Sequence, residues 1–85
     1  MITAEALNEM MAYKAPTLTM LAKDNGYKGP AFSSCRFLGI TNGGQLCFMA
    51  VYLCEGGTDS TKVYLRRTGS RVIAEVDRTE VWSYN

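Results

Sequence analysis

Residues 46–54, Leu46-Cys47-Phe48-Met49-Ala50-Val51-Tyr52-Leu53-Cys54, carry no charge and no turn former. This run constrains the chain more than any other feature. It is far short of the roughly 20 apolar residues that a membrane helix needs. Glycine pairs flank it, Gly43-Gly44 before and Gly56-Gly57 after, and its aromatic and β-branched content marks it as a strand. Neighbouring side chains of a strand point to opposite faces. Here both faces are apolar, and such a strand is normally covered on both sides. An 85-residue chain has few elements with which to provide two covers.

The remaining elements follow from spacing. Thr3 is a candidate N-cap, Glu5 suits the first turn, and Leu7, Met10 and Met11 recur at helical spacing. Pro16 ends this helix near Lys14. A second helix begins around Pro16 or Thr17, places Leu18, Leu21 and Ala22 on one face, and stops at Asn25-Gly26. Tyr27 to Ala31, with Gly29-Pro30, reads as loop, and from Phe32 the period becomes two. Strands are expected at about 33–41, 45–54, 61–67 and 71–77, with turns at Asn42-Gly43 and Thr68-Gly69 and a loop from Glu55 to Ser60. The expected fold is α+β and a single domain over 1–85. Two short N-terminal helices (1–26) pack on one face of a four-stranded antiparallel meander (32–77), and the tail (78–85) is a candidate for a short fifth strand, a flap on the sheet or a partner anchor.

Register follows from pattern. Val63 and Leu65 share a face of the third strand, and Val72, Ala74 and Val76 share one of the fourth. These faces coincide only across an even-numbered loop, because a one-residue slip exchanges faces. A Thr68-Gly69 turn places Leu65 opposite Val72, Val63 opposite Ala74, Lys62 opposite Glu75 as a cross-strand ion pair, and Tyr64 opposite Ile73. On the first strand Phe37 takes one face, and Leu38 and Ile40 the other.

The composition removes most catalytic chemistry. The chain has no histidine, so Ser-His-Asp, Cys-His and imidazole metal sites are excluded. Cys35, Cys47 and Cys54 are odd in number, widely spaced and in apolar surroundings, which fits reduced core thiols in a cytoplasmic protein. They lack the paired spacing and the fourth ligand of a zinc site. Arg36 follows Cys35 but faces the other way on a strand, so it does not activate that thiol. Neither glycine pair has the spacing of a phosphate loop. Glu5 and Glu9 read as a solvated helical stripe, and the stretch before Tyr13 lacks the basic start of a signal peptide. No enzyme, metal or cofactor is expected.

Residues 21–37 have a faint similarity to the second helix-turn-helix of AraC-type regulators, in Leu21-Ala22, Gly26-Tyr27 and Phe32-Ser33. Gly29-Pro30 falls where the recognition helix should begin, and the residues that follow read as a hairpin, so no site is carried across.

Two surfaces invite partners. One is the second apolar sheet face, with Leu38, Ile40, Cys47, Met49 and Val51, and Trp82 as an anchor from the tail. The same face is a candidate homodimer contact. The other is a basic hairpin of Lys62, Tyr64, Arg66, Arg67 and Arg71, suited to an acidic protein patch or to single-stranded nucleic acid. A net charge of +1 is low for a dedicated nucleic-acid binder. The leading expectation is a non-catalytic protein-binding protein. In size and style it is like the phage and mobile-element products that inhibit a host protein by steric occlusion. A small nucleic-acid-binding module is the alternative.

Overall fold

The computed structural model describes residues 3–77. Helix α1 is Ala4–Met11 and helix α2 is Ala15–Asp24. Thr3 caps α1, its hydroxyl accepting the Ala6 N–H at 3.1 Å. Helix α2 begins one residue ahead of Pro16, which falls in the first turn, where its missing N–H costs nothing. At the far end Gly26 takes φ 97°, the Tyr27 N–H donates to Ala22 O, and the Gly26 N–H donates to Lys23 O. That pair of bonds satisfies two carbonyls left over by the helix, in the manner of a Schellman cap.

The strands are β1 Phe32–Ile40, β2 Leu46–Cys54, β3 Gly57–Thr68 and β4 Arg71–Val76. They form one antiparallel sheet in the order β1-β2-β3-β4. The α+β meander expected from the pattern is therefore present. The tail and its candidate fifth strand lie outside the described residues. Residues 21–37, with their faint similarity to a helix-turn-helix, run from the end of α2 through a loop into β1, so no second helix follows the turn.

Three local features depart from expectation. First, Glu55 to Ser60 is not a loop. Cys54 pairs with Gly57 across a two-residue Glu55-Gly56 turn, and Thr58, Asp59 and Ser60 continue the strand. Gly56 and Gly57, at φ 92° and 142°, absorb the reversal within the two glycines themselves.

Second, the last turn is Gly69-Ser70 rather than Thr68-Gly69, since Thr68 pairs with Arg71. Gly69 takes φ 63° and Ser70 stays at negative φ, the pattern of a type II′ turn with glycine first. The loop remains even, so the faces are as expected, but the partners slide by two residues. Leu65 faces Ala74, Val63 faces Val76, Arg66 faces Ile73 and Tyr64 faces Glu75. The expected Lys62–Glu75 pair is replaced. Lys62 now lies opposite Met49, and its carbonyl accepts the Asp77 N–H at 3.1 Å.

Third, β1 carries two bulges, one between Phe32 and Ser34 and one between Phe37 and Gly39. Each inserts an extra residue and shifts the alternation. Leu38 is the extra residue of the second bulge. Beyond it Ile40 pairs with Leu46, so Leu38 and Ile40 do not share a face as alternation alone requires.

The core lies between the helices and one sheet face. Leu46, Phe48, Ala50 and Tyr52 of β2, Val63 and Leu65 of β3, and Ala74 of β4 meet Met10, Ala15, Leu18 and Ala22. Phe37 packs edge-on against Phe48 at 5.4 Å between ring centroids, and Tyr27 stacks on Phe32 at 5.2 Å. Helix α2 touches both outer strands, β1 and β4, and so crosses the whole sheet. Thr19 ties helix to sheet: its hydroxyl donates to Ala15 O at 2.9 Å and accepts the Phe32 N–H at 3.0 Å. No helix among the described residues is long and apolar enough to cross a membrane.

Candidate functional site

The two helices pack on the face that carries Phe48, so the odd-numbered residues of β2 turn the other way. On this second face the register places the side chains in rows across the strands. Arg36, Met49 and Lys62 form one row, and Cys47, Tyr64 and Glu75 the next. Arg66 and Ile73 form a third, while Ser34, Val51 and Ser60 lie on the other side of Met49. Residues directly opposite in such rows have Cβ atoms about 4.5–5.5 Å apart, so they form a continuous surface.

The surface has an apolar stripe with cations around it, and on the β4 side two carboxylates, Glu75 opposite Tyr64 and Asp77 across from Lys62, share the face. Cys47 is buried, Met49, Val51, Tyr64 and Ile73 are half-buried, and Leu53 is 66% exposed. Arg36, Lys62, Arg66 and Arg71 are exposed. Met49 thus has a cation opposite it on each side, from β1 and from β3. Lys and Arg stems can lie along apolar neighbours while their charged ends stay in water.

Most of the expected site residues meet on this face. Met49 and Val51 form its centre, Lys62, Tyr64 and Arg66 line up beside them on β3, and Arg71 joins opposite Thr68. Arg67 does not. It pairs with Val72, on the helix-bearing side near the hairpin tip, where its Nε donates to Gly69 O at 3.1 Å. Leu38, 41% exposed, sits in the β1 bulge at the border, and Ile40, 54% exposed, lies with Leu46 at the end of the other face. Trp82 lies outside the described residues. Arg36 and Leu53 also belong to the surface. Simple alternation from Phe37 and from Met49 finds both, but their isolation among apolar neighbours makes them easy to pass over.

Elsewhere the chemistry is sparse. A groove of about 440 Å³ runs between the C-terminal end of α2 and β4, lined among others by Ala22, Asn25, Tyr27, Glu75 and Val76. Asn25 is engaged there, its amide donating to Leu21 O at 2.7 Å. Tyr27 is engaged too, its hydroxyl donating to Pro30 O at 2.6 Å. Burial, with a smaller contribution from Tyr52, pushes the Tyr27 phenol up to about 12. Burial also raises the Cys35 thiol, which Lys14 only partly offsets, and Cys35 donates to Tyr13 O at 3.5 Å. That thiol is held neutral rather than activated. All three cysteines are free. No cluster of acidic and cysteine side chains among the described residues is arranged to hold a metal ion.

An apolar stripe edged by cations complements a surface with an apolar centre and acidic surroundings. Comparison with protein families, with curated proteins and with solved structures finds no match to this chain.

Proposed function

We propose that this chain is a non-catalytic protein-binding protein that works by occupying a surface of another protein. The observation that carries this reading is the placement of Met49, Val51 and Leu53 on the face opposite both helices, with Arg36 and Lys62 on either side of Met49. Apolar surface grouped in this way is what interaction sites expose. The cationic border selects a partner with acidic groups around an apolar contact. The mechanism is steric: a small rigid sheet laid on a partner blocks whatever else binds there. The reading extends to an inhibitor of a host protein of the kind that phages and mobile elements carry. Free thiols at Cys35, Cys47 and Cys54 favour the cytoplasm as its place of action.

The test is comparative capture from the native host with the wild type and with a Met49→Glu, Val51→Glu double variant. A protein retained by the first and lost by the second supports the proposal. Equal retention by both refutes it.

A second reading, single-stranded nucleic-acid binding, is favoured by one observation: Tyr64 lies between Lys62 and Arg66 on one strand face, with Arg71 across the hairpin. Such binding weakens steeply as salt rises. If Lys62→Glu with Arg66→Glu leaves the affinity and its salt dependence unchanged, that reading fails.

A further inference from the structure

The two edges of the sheet differ. Edge strand β1 carries two bulges, which kink it and spoil its ladder for an incoming strand. Edge strand β4 is regular, and among the described residues no strand pairs with its outer side. The Asp77 N–H donates to Lys62 O, which marks the 62/77 pair as hydrogen-bonded. Antiparallel pairs alternate between bonded and non-bonded, so residues 71, 73, 75 and 77 bond inward to β3. Val72, Ala74 and Val76 therefore direct their N–H and C=O groups outward.

We infer that β4 pairs with β4 of a second copy of this chain, antiparallel about a two-fold axis at Ile73. This register follows from charge. With Ile73 opposite its own copy, each Arg71 lies opposite the partner's Glu75, giving two cross-strand ion pairs on one face. Arg71 and Glu75 are both exposed and have no call on each other within one chain's ladder. On the helix-bearing face Val72 lies opposite the partner's Ala74. These are bonded positions, and the two symmetric pairs supply four main-chain hydrogen bonds. The neighbouring registers that keep the faces matched are worse: an axis at Ala74 sets Ile73 against Glu75, and one at Val72 sets Arg71 against Ile73. An odd shift exchanges the faces and sets side chains of the core against charged ones.

The result is a continuous eight-stranded sheet with the two Met49 surfaces on one side. The pairing does not rest on the proposed function, because it uses the edge of the sheet and not the Met49 surface.

Sedimentation equilibrium on the full chain tests it, with Arg71→Glu and Glu75→Arg as variants. The wild type is expected to form a concentration-dependent dimer of the 9.4 kDa chain. Each single variant turns two attractions into two repulsions and should weaken the dimer about tenfold. An equimolar mixture of the two single variants should form a heterodimer near wild-type affinity, and the double variant should dimerise like the wild type. That recovery also shows that the single variants are folded. A monomeric wild type, single variants that dimerise unimpaired, or a mixture without recovery overturns the inference.

Discussion

Phe48 and Met49 are neighbours on β2, yet they face opposite worlds. Phe48 has 0% exposure, packs edge-on against Phe37 at 5.4 Å, and lies opposite Phe37 and Val63 in the ladder. Met49 is half-buried between two exposed cations, Arg36 and Lys62. Truncating a buried phenylalanine to alanine costs about 3–5 kcal/mol. A chain of this size has a total stability of roughly 4–13 kcal/mol, so Phe48→Ala approaches the unfolding limit. Phe48→Leu is the measurable change. It keeps much of the volume, loses the aromatic pair, and should cost about 1.5 kcal/mol. Met49→Glu places a carboxylate beside two cations at a site open to water. Its cost should stay within about 0.5 kcal/mol, the range of surface substitutions. Urea titration followed by circular dichroism separates the two. With an m value of about 1 kcal/mol/M, Phe48→Leu lowers the midpoint by about 1.5 M and Met49→Glu barely moves it. A Met49→Glu loss of about 3 kcal/mol or more would refute the reasoning, because a cost of that size marks a side chain packed in a core or a charge buried without a partner, not one on an uncovered face.

Three further outcomes follow from the same contacts. A Cβ on Gly29 would lie 2.5 Å from the Tyr27 hydroxyl and 2.7 Å from two ring carbons, and that ring is pinned by Phe32 and Pro30. Gly29→Ala should therefore cost about 1–3 kcal/mol in thermal or urea unfolding. Thr19→Val keeps the shape but leaves the Phe32 N–H without its acceptor, and should cost about 1–3 kcal/mol by the same measurements. The Tyr27 phenol, raised from 10.0 to about 12 by burial and then by Tyr52, favours the folded state while it is protonated. That contribution is complete below pH 10 and is lost as the pH rises towards 12. Phenolate absorbance should show a late-titrating tyrosine that Tyr27→Phe removes.

The sequence was legible wherever a pattern has one physical solution. The change from helical to two-residue period at Phe32, and the glycines between the strands, gave the element types and the meander. Alternation put Met49 with Val51 on one face of β2, and Lys62, Tyr64 and Arg66 on one face of β3, because a strand leaves no other choice. That the two sets share one sheet face comes from the Cys54–Gly57 pairing, in place of the expected loop. Register was legible only in its parity. Turns at Thr68-Gly69 and at Gly69-Ser70 bury the same side chains, and the difference lies in Gly69 occupying the first position of a type II′ turn. Arg67 belongs to the basic run in sequence but, sharing the alternation of Val63 and Leu65 along β3, to the other face in space whichever turn forms. The bulges at Ser33 and Leu38 were not legible, since a bulge breaks the alternation on which the reading depended. Their effect is to part Ile40 from Leu38.

The central claim is that the face bearing Met49 meets another protein. Photo-crosslinking in the native host tests it most directly. A photoreactive residue is placed singly at Met49, at Lys62, and at Met20, which is 56% exposed on helix α2 on the opposite side of the molecule. The account predicts one common adduct from positions 49 and 62 and none from position 20. Adducts from position 20 alone, or the same adduct from all three positions, would contradict it.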